Sequence, residues 1–320
     1  MTSRNAGFAA IVVASLLWGT TGTASALAPS VSPITVGAGA MGIGGLLQIG
    51  VNARALYRDR ARLRARIQLV AFGGVCVTAY PLAFYSSMRI GGVALGCVVS
   101  LASAPLASAV IERVCDGRAL TRQWALACGF GIVGSGLLSM SRHSVATTGA
   151  ANSAVLGVAL GLAAGGSYAG YSWVLRRLMD NRVSRGASTA AVLGLGGILL
   201  IPVFVATSDT VVGSPAGLGV ITYLAVLPMF LGYVFFSYGL AHVDTTSATT
   251  ITLLEPAVAT VLSVAILHEN VGAVGWAGVA LIALSLVALT FPASRDRLST
   301  PANTPGTQPI RNPTTLACEQ

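Results

Sequence analysis

Long apolar runs, separated by short polar or arginine-bearing junctions, fill the chain from residue 8 to residue 291. A bilayer core takes about 20 apolar residues per helix. Ten stretches reach or approach that length: 8–28, 33–53, 67–88, 91–111, 122–140, 152–174, 187–206, 217–237, 244–266 and 272–291. Glycine and proline punctuate the junctions, as at residues 29–33, Gly91–Gly92 and Gly213–Gly217. The pattern predicts an all-α integral membrane protein with ten transmembrane helices.

The arginines orient these spans. With a cytoplasmic N-terminus, the inner junctions hold Arg4, the six arginines from Arg54 to Arg66, then Arg113, Arg118, Arg122, Arg176, Arg177, Arg182 and Arg185. Arg295, Arg297 and Arg311 follow in an inner tail, and only Arg89 and Arg142 fall outside. Seventeen against two is a strong positive-inside bias, which a missed or extra span would scramble. The expected location is the bacterial plasma (inner) membrane, multi-pass, with both termini cytoplasmic. Ala24-Ser25-Ala26 after the first apolar run resembles a signal-peptidase site. That run is long for a signal peptide and no soluble domain follows it, so it is read as a retained helix.

Composition agrees. The chain is 54% hydrophobic and 9% charged, with mean hydropathy +0.77, against about a quarter charged for a soluble surface. The net charge of +9 would suit nucleic acid, but the arginines flank apolar runs and no aromatic–basic platform accompanies them. The five cysteines lie at no metal-ligand spacing. His143, His242 and His268 fall at predicted loops or helix ends, so neither metal nor cofactor is expected. No phosphate-binding loop, nucleophile elbow or paired intramembrane carboxylate occurs, and the chain is not expected to be an enzyme. Residues 292–320, with five prolines and little to bury, read as a disordered tail.

The spans repeat. Trp124-Ala125 and Trp276-Ala277 open similar Gly/Ala/Ile/Val/Leu runs. Ahead of each lies a span broken by one proline, at Ser103-Ala104-Pro105 and Leu254-Glu255-Pro256, while Tyr85 and Tyr238 close the third and eighth spans. A duplicated unit of five spans must enter the membrane in opposite senses. Residues 1–147 and 148–291 are therefore expected to form two inverted five-helix repeats around a central cavity, a layout suited to alternating access.

Trp18-Gly19-Thr20 in the first span, Leu254-Glu255-Pro256 with Leu267-His268-Glu269 in the second half, and the five-plus-five layout resemble the EamA-type branch of the drug/metabolite transporter superfamily. The resemblance spans residues 8–291 and implies a ten-helix bundle with a central cavity. It further implies a secondary transporter, in several members an exporter of amino acids or related metabolites. Where the family commonly places a Glu after the fourth span, this chain has Asp116-Gly117-Arg118, with Glu112 one turn earlier. A membrane-embedded enzyme acting on lipid-linked substrates and a non-transporting membrane subunit are the competing classes. The first wants clustered Asp, His and Arg; the second leaves the duplication without purpose.

Glu255 is read as the only acidic residue well inside any predicted helix, and there a carboxyl costs roughly 3 kcal/mol without a partner or water. It either contacts a substrate amine or carries a proton, or else it holds a kink by bonding a neighbouring helix. Trp18, Tyr168 and Tyr171 occupy equivalent spans beside small residues, where they line a cavity or pack helices. Gly157, Gly161 and Gly165 form a small-x-x-x-small packing ridge, which Gly166 and Gly170 repeat on an adjacent face. Tyr80, Phe84, Tyr85, Tyr233, Phe236 and Tyr238 read as an interfacial belt or lipid-facing residues, with a few of them lining the cavity. Pro105 and Pro256 are expected to kink equivalent helices, as gates or as tolerated bends. Glu269 reads as a polar anchor at a helix end or as a partner across a loop. The Arg54–Arg66 run reads as an anchor against anionic lipid.

Overall fold

The structure is a computed structural model that describes residues 3–91, 93–141, 151–211, 214–268 and 271–290. The tail at 292–320 and the expectations for Arg142, His143 and Glu269 lie outside the described residues. In the unit formed by residues 1–290, the regular elements among the described residues are all helices.

Every predicted span coincides with helix. The first half comprises α1 (Ser3–Ala26), α2 (Pro33–Val51), α3 (Ala53–Ala65), α4 (Ile67–Gly91), α5 (Val93–Cys115) and α6 (Arg122–Ser141). The second comprises α7 (Ala151–Asp180), α8 (Arg185–Thr207), α9 (Pro215–Leu224), a π-helical turn (Ala225–Leu231), α10 (Gly232–Leu240), α11 (Thr245–Ile251), α12 (Leu254–Leu267) and α13 (Ala273–Thr290). Eight helical stretches among the described residues are long and apolar enough to cross a membrane. Of the other two, α13 carries a shorter apolar stretch, Ala273–Leu289, and α7 runs 30 residues but spends much of them on Gly, Ser and Tyr.

Cross-contacts fix which helix ends lie together. Asp59 Oδ2 accepts from Ser184 N at 2.8 Å, and Glu112 Oε1 accepts from Thr245 N at 2.9 Å. The segments near residues 60 and 180 thus share one end of the molecule, the end that carries most of the arginines. At the opposite end, Thr35 Oγ1 donates to Thr207 O at 2.9 Å.

Small residues set the close pairings. A Cβ on Gly134 would lie 2.7 Å from Gly278 O, and one on Gly278 would lie 2.6 Å from Gly134 O, so α6 and α13 meet backbone to backbone. Helices α2 and α8 do the same through Gly45 and Gly197. In lipid, where apolar surface alone gives no drive to associate, such contact maximises dispersion between helices. The ridge on α7 behaves as expected: Gly157 meets Gly91, Gly161 meets Val99, and Gly165 meets Ser103. Its neighbour is split, since Gly170 meets Cys76 while Gly166 faces open space.

One local expectation is corrected. Glu255 is not the sole acid inside a helix: Glu112 lies within α5, 3% exposed. Pro105 lies inside α5, which is helical on both sides of it, and the ninth span is interrupted at Thr252–Leu253, just ahead of Pro256. Pro256 sits in the first turn of α12, where a missing N–H is tolerated.

Candidate functional site: a cavity floored by Glu255

The interruption between α11 and α12 follows from Thr245-Thr246-Ser247-Ala248-Thr249-Thr250-Ile251-Thr252, a run whose hydroxyls compete for backbone carbonyls. Thr249, Thr250 and Thr252 each donate back to a carbonyl three or four residues earlier. They also receive from or bond to other helices: Trp124 Nε1 donates to Thr250 Oγ1 at 3.0 Å, and Tyr168 OH donates to Thr252 Oγ1 at 3.0 Å. The break is thereby held from α6 and α7, and Glu255 follows it in the first turn of α12.

Across from Glu255 stands a second irregular segment, the π turn around Pro228. A wide turn leaves carbonyls without their usual donors, and π turns cluster at functional sites. Here Trp18 Nε1 donates to Pro228 O at 2.9 Å, and Gln48 Nε2 donates to Phe230 O at 2.8 Å. Two side chains of the first half thus satisfy carbonyls of the second. Gly19, the residue after Trp18, lets α1 approach α12 closely, since a Cβ there would lie 3.1 Å from Glu255 O.

Glu255, Trp18, Tyr168 and Tyr171 share one small inner chamber of about 60 Å³, completed by Tyr80 and Tyr233. Trp18 packs against Tyr168, Tyr233 and Phe236, with ring centroids 6.3, 5.0 and 5.1 Å away. The Tyr171 and Tyr233 hydroxyls lie 2.7 Å apart. Glu255 is half-buried, and its carboxyl has no hydrogen-bond or ion partner within the protein among the described residues.

The chamber opens through Glu255, Phe84 and Tyr85 into a vestibule of about 820 Å³. Its walls come from the end of α1, the start of α2, the end of α4, the first half of α5 and α12 from Glu255 to Ser263. Pro256 lines it and Pro105 does not. The vestibule leads to the end with few arginines.

The arginine-rich end is closed. Glu112 accepts from Thr245 N, Thr246 N and Thr246 Oγ1, capping α11 together with its own Asp244. Arg176 donates to Leu240 O at 2.6 Å and to Val243 O at 2.8 Å, at the corner between α10 and α11. Asp116 accepts from Trp173 Nε1 and from Arg177, each at 2.9 Å. Asp59 is 2% exposed and pairs with Arg62 as well as Ser184. The Ser184 hydrogen bonds, with help from Arg62 and Arg58, hold its carboxyl below the usual carboxylate range.

Several of these residues escaped the sequence. Of the aromatics expected mainly at an interfacial belt, more than a few face inward: Tyr80, Phe84, Tyr85 and Tyr233 line the inner chamber and Phe236 is fully buried against Trp18. Tyr238 packs on His242, at a ring distance of 4.7 Å. An aromatic at a helix end and one facing inward look alike in sequence unless the facing helix is known. The threonine run and Pro228 were the available signals for the two irregular segments. No group of His, Cys, Asp and Glu suited to a metal occurs among the described residues.

Known proteins share this architecture. A crystal structure of a protein aligns with a TM-score of 0.75 over 90% of this chain and 97% of that one, at 20% identity, which speaks to fold alone. The Uncharacterized transporter YwfM of Bacillus subtilis (strain 168) is 29% identical over 297 residues, 92% of this chain and 96% of its own length. The EamA-like transporter family matches twice, over residues 5–140 and 155–291. With both matches together spanning most of its length, the chain is a multi-pass membrane transporter of the EamA-like transporter family.

Proposed function

We propose that the chain is a secondary carrier that exports a small amine-bearing metabolite, such as an amino acid, across the bacterial inner membrane by alternating access. The observation that carries this reading is Glu255, a carboxyl with no partner among the described residues, at the floor of a cavity open toward one end and sealed toward the other. A protonated amine, or a proton in its absence, satisfies that carboxyl in turn, which couples the two fluxes. Trp18, Tyr168 and Tyr171 supply the aromatic wall against which a cation rests.

The proposal includes ten transmembrane helices in two inverted repeats, residues 1–147 and 148–291, with both termini cytoplasmic. The mutual pairings of α2 with α8 and α6 with α13 support it, since each joins helices that the repeat makes equivalent. So does the shared end of residues 59 and 184. With that orientation the vestibule faces outward. The break at Thr252–Leu253 and Pro256 forms a hinge of the ninth span, whereas Pro105 is a tolerated proline.

Counterflow in proteoliposomes tests the reading. Purified protein is expected to exchange a labelled amino acid saturably, and Glu255→Gln is expected to flatten the pH profile of that exchange. An unchanged rate and pH profile in Glu255→Gln would remove Glu255 from the cycle. Reporter fusions near residues 60 and 180 that fell on opposite faces would remove the inverted topology.

A further inference from the structure

We propose that Gln48, on α2 and outside the cavity, is a positioning residue of the transport site: its bond to the π turn keeps the Tyr233 ring turned into the chamber. This deepens the carrier reading and rests on it.

Gln48 is 1% exposed within an apolar span, where an amide without partners is costly. Both ends of the amide are used. Nε2 donates to Phe230 O at 2.8 Å, and Oε1 accepts from Asn52 Nδ2 at 3.2 Å. Asn52 Nδ2 also donates to Gln48 O at 3.0 Å, and its side chain packs on Gly186 at the start of α8. The amide is thereby braced from the arginine-rich end and aimed at the π turn. Gly44, one turn earlier on the same face, brings α2 against that turn: a Cβ there would lie 2.6 Å from Met229 Cβ and 3.1 Å from Ala225 O.

The π turn takes up one residue more than an α-helix would, and Gly232 N accordingly donates to Leu227 O, five residues back. Helix geometry alone does not fix where along the span that extra residue sits. Moved one turn on toward Gly239, it would rotate only the residues in between, by about 100°. The close contact of Gly239 with Gly7 would survive. Gly232 would then stand where Tyr233 stands now, and the chamber would lose a ring.

Tyr233 follows Phe230 by three residues, so the bond that holds the Phe230 carbonyl also fixes the rotation of Tyr233. In the present register Tyr233 is 2% exposed, its ring centroid lies 5.0 Å from that of Trp18, and its hydroxyl lies 2.7 Å from that of Tyr171. Trp18 braces the same turn through Pro228 O, but it also lines the chamber. Gln48 lines neither the chamber nor the vestibule. A change there reaches a ligand only through the turn.

The test uses the full-length protein in proteoliposomes, with the native cysteines replaced. Methanethiosulfonate ethylammonium, a small thiol reagent, enters from the vestibule and modifies Tyr233→Cys or, as a reference on α7 in the same chamber, Tyr168→Cys. Gln48→Met keeps the bulk of the side chain and removes the donor. It is expected to slow modification of Tyr233→Cys severalfold and to leave Tyr168→Cys unchanged. Gln48→His, whose ring N–H reaches a similar distance, is expected to restore the rate. Equal rates at Tyr233→Cys in the native and Gln48→Met backgrounds would overturn the assignment. An equal slowing at Tyr168→Cys, the mark of a chamber lost as a whole, would do the same. In counterflow of labelled amino acids, Gln48→Met is expected to raise the half-saturating concentration about tenfold, and to add nothing where Tyr233→Leu is already present. Additive losses would count against the assignment as well. Slowed modification of Tyr233→Cys in a protein that shows no counterflow would remove the carrier and leave the register assignment standing.

Discussion

The two ends of this molecule are built on opposite principles. At the arginine-rich end, carboxylates from α3, α5 and the segment after α5 reach across to α7, α8 and α11, and Arg176 ties the corner between α10 and α11. At the other end, the helices that diverge around the vestibule present hydroxyls, aromatic rings and one unpaired arginine. The sealed end has many short directional bonds, each modest once solvent competition is counted. The open end has space. A carrier that must later exchange these roles needs its seal to be a sum of breakable bonds, since a wide apolar interface would be too costly to part and re-form.

The largest expected effect breaks the comparison at its centre. Glu255→Gln removes the charge that a cationic ligand would pair with, and counterflow of a bound amino acid should fall by about 100-fold, read as initial exchange rate in proteoliposomes. Next is Glu112→Ala. It leaves the Thr245 and Thr246 amides buried without their acceptor, at a cost of roughly 3 kcal/mol. The expected result is a lowered melting temperature and an opened seal. With the native cysteines replaced, a cysteine at Ala26, exposed on the vestibule wall, should react readily with a maleimide. One at Ala248, fully buried at the sealed end, should react only in the Glu112→Ala background. Equal labelling of Ala248→Cys with and without Glu112 would show that this carboxylate does not hold the seal. Arg176→Gln should open the same end by less, about 1.5 kcal/mol, because Gln still donates one bond toward Leu240 O or Val243 O.

The difference between the ends also separates what the chain discloses in sequence from what it hides. The spans were legible because burial in lipid demands length and apolarity from each helix independently, and every predicted stretch became helix. The α7 glycine ridge was legible for a similar reason: its period is local. Glu255, Trp18, Tyr168 and Tyr171 stood out as unusual residues in apolar runs, and they converge on one chamber. Their partners were hidden. Tyr80 and Tyr233 lie in spans whose inward face is set only by the neighbours, so their rings passed for interfacial residues. The roles of Asp59 and Glu112 were hidden, because nothing in the sequence links residue 59 to 184 or 112 to 245. The π turn at Pro228 was missed for a different reason. Its freed carbonyls are satisfied by Trp18 and Gln48, 200 residues away in order of magnitude and invisible to any local pattern.

The smallest expected effect concerns the residue that joins the sealed end to the arginine-rich helix α3. Asp59 accepts the Ser184 amide at the start of α8 and pairs with Arg62, and these partners hold its carboxyl below the usual range. A depressed folded-state value means that Asp59 contributes stability above its unfolded value, near 4, and loses it as pH falls through the folded one. Asp59→Asn keeps an oxygen for the Ser184 amide and loses only the charge, so the cost at neutral pH should be about 1 kcal/mol. The diagnostic is the slope. Between pH 7 and pH 3 the melting temperature of the native protein should fall more steeply than that of Asp59→Asn, and the two curves should converge at the acid end. Parallel curves would mean that the carboxylate charge adds nothing there, and that α3 is held to α8 by Leu63 and its apolar neighbours instead.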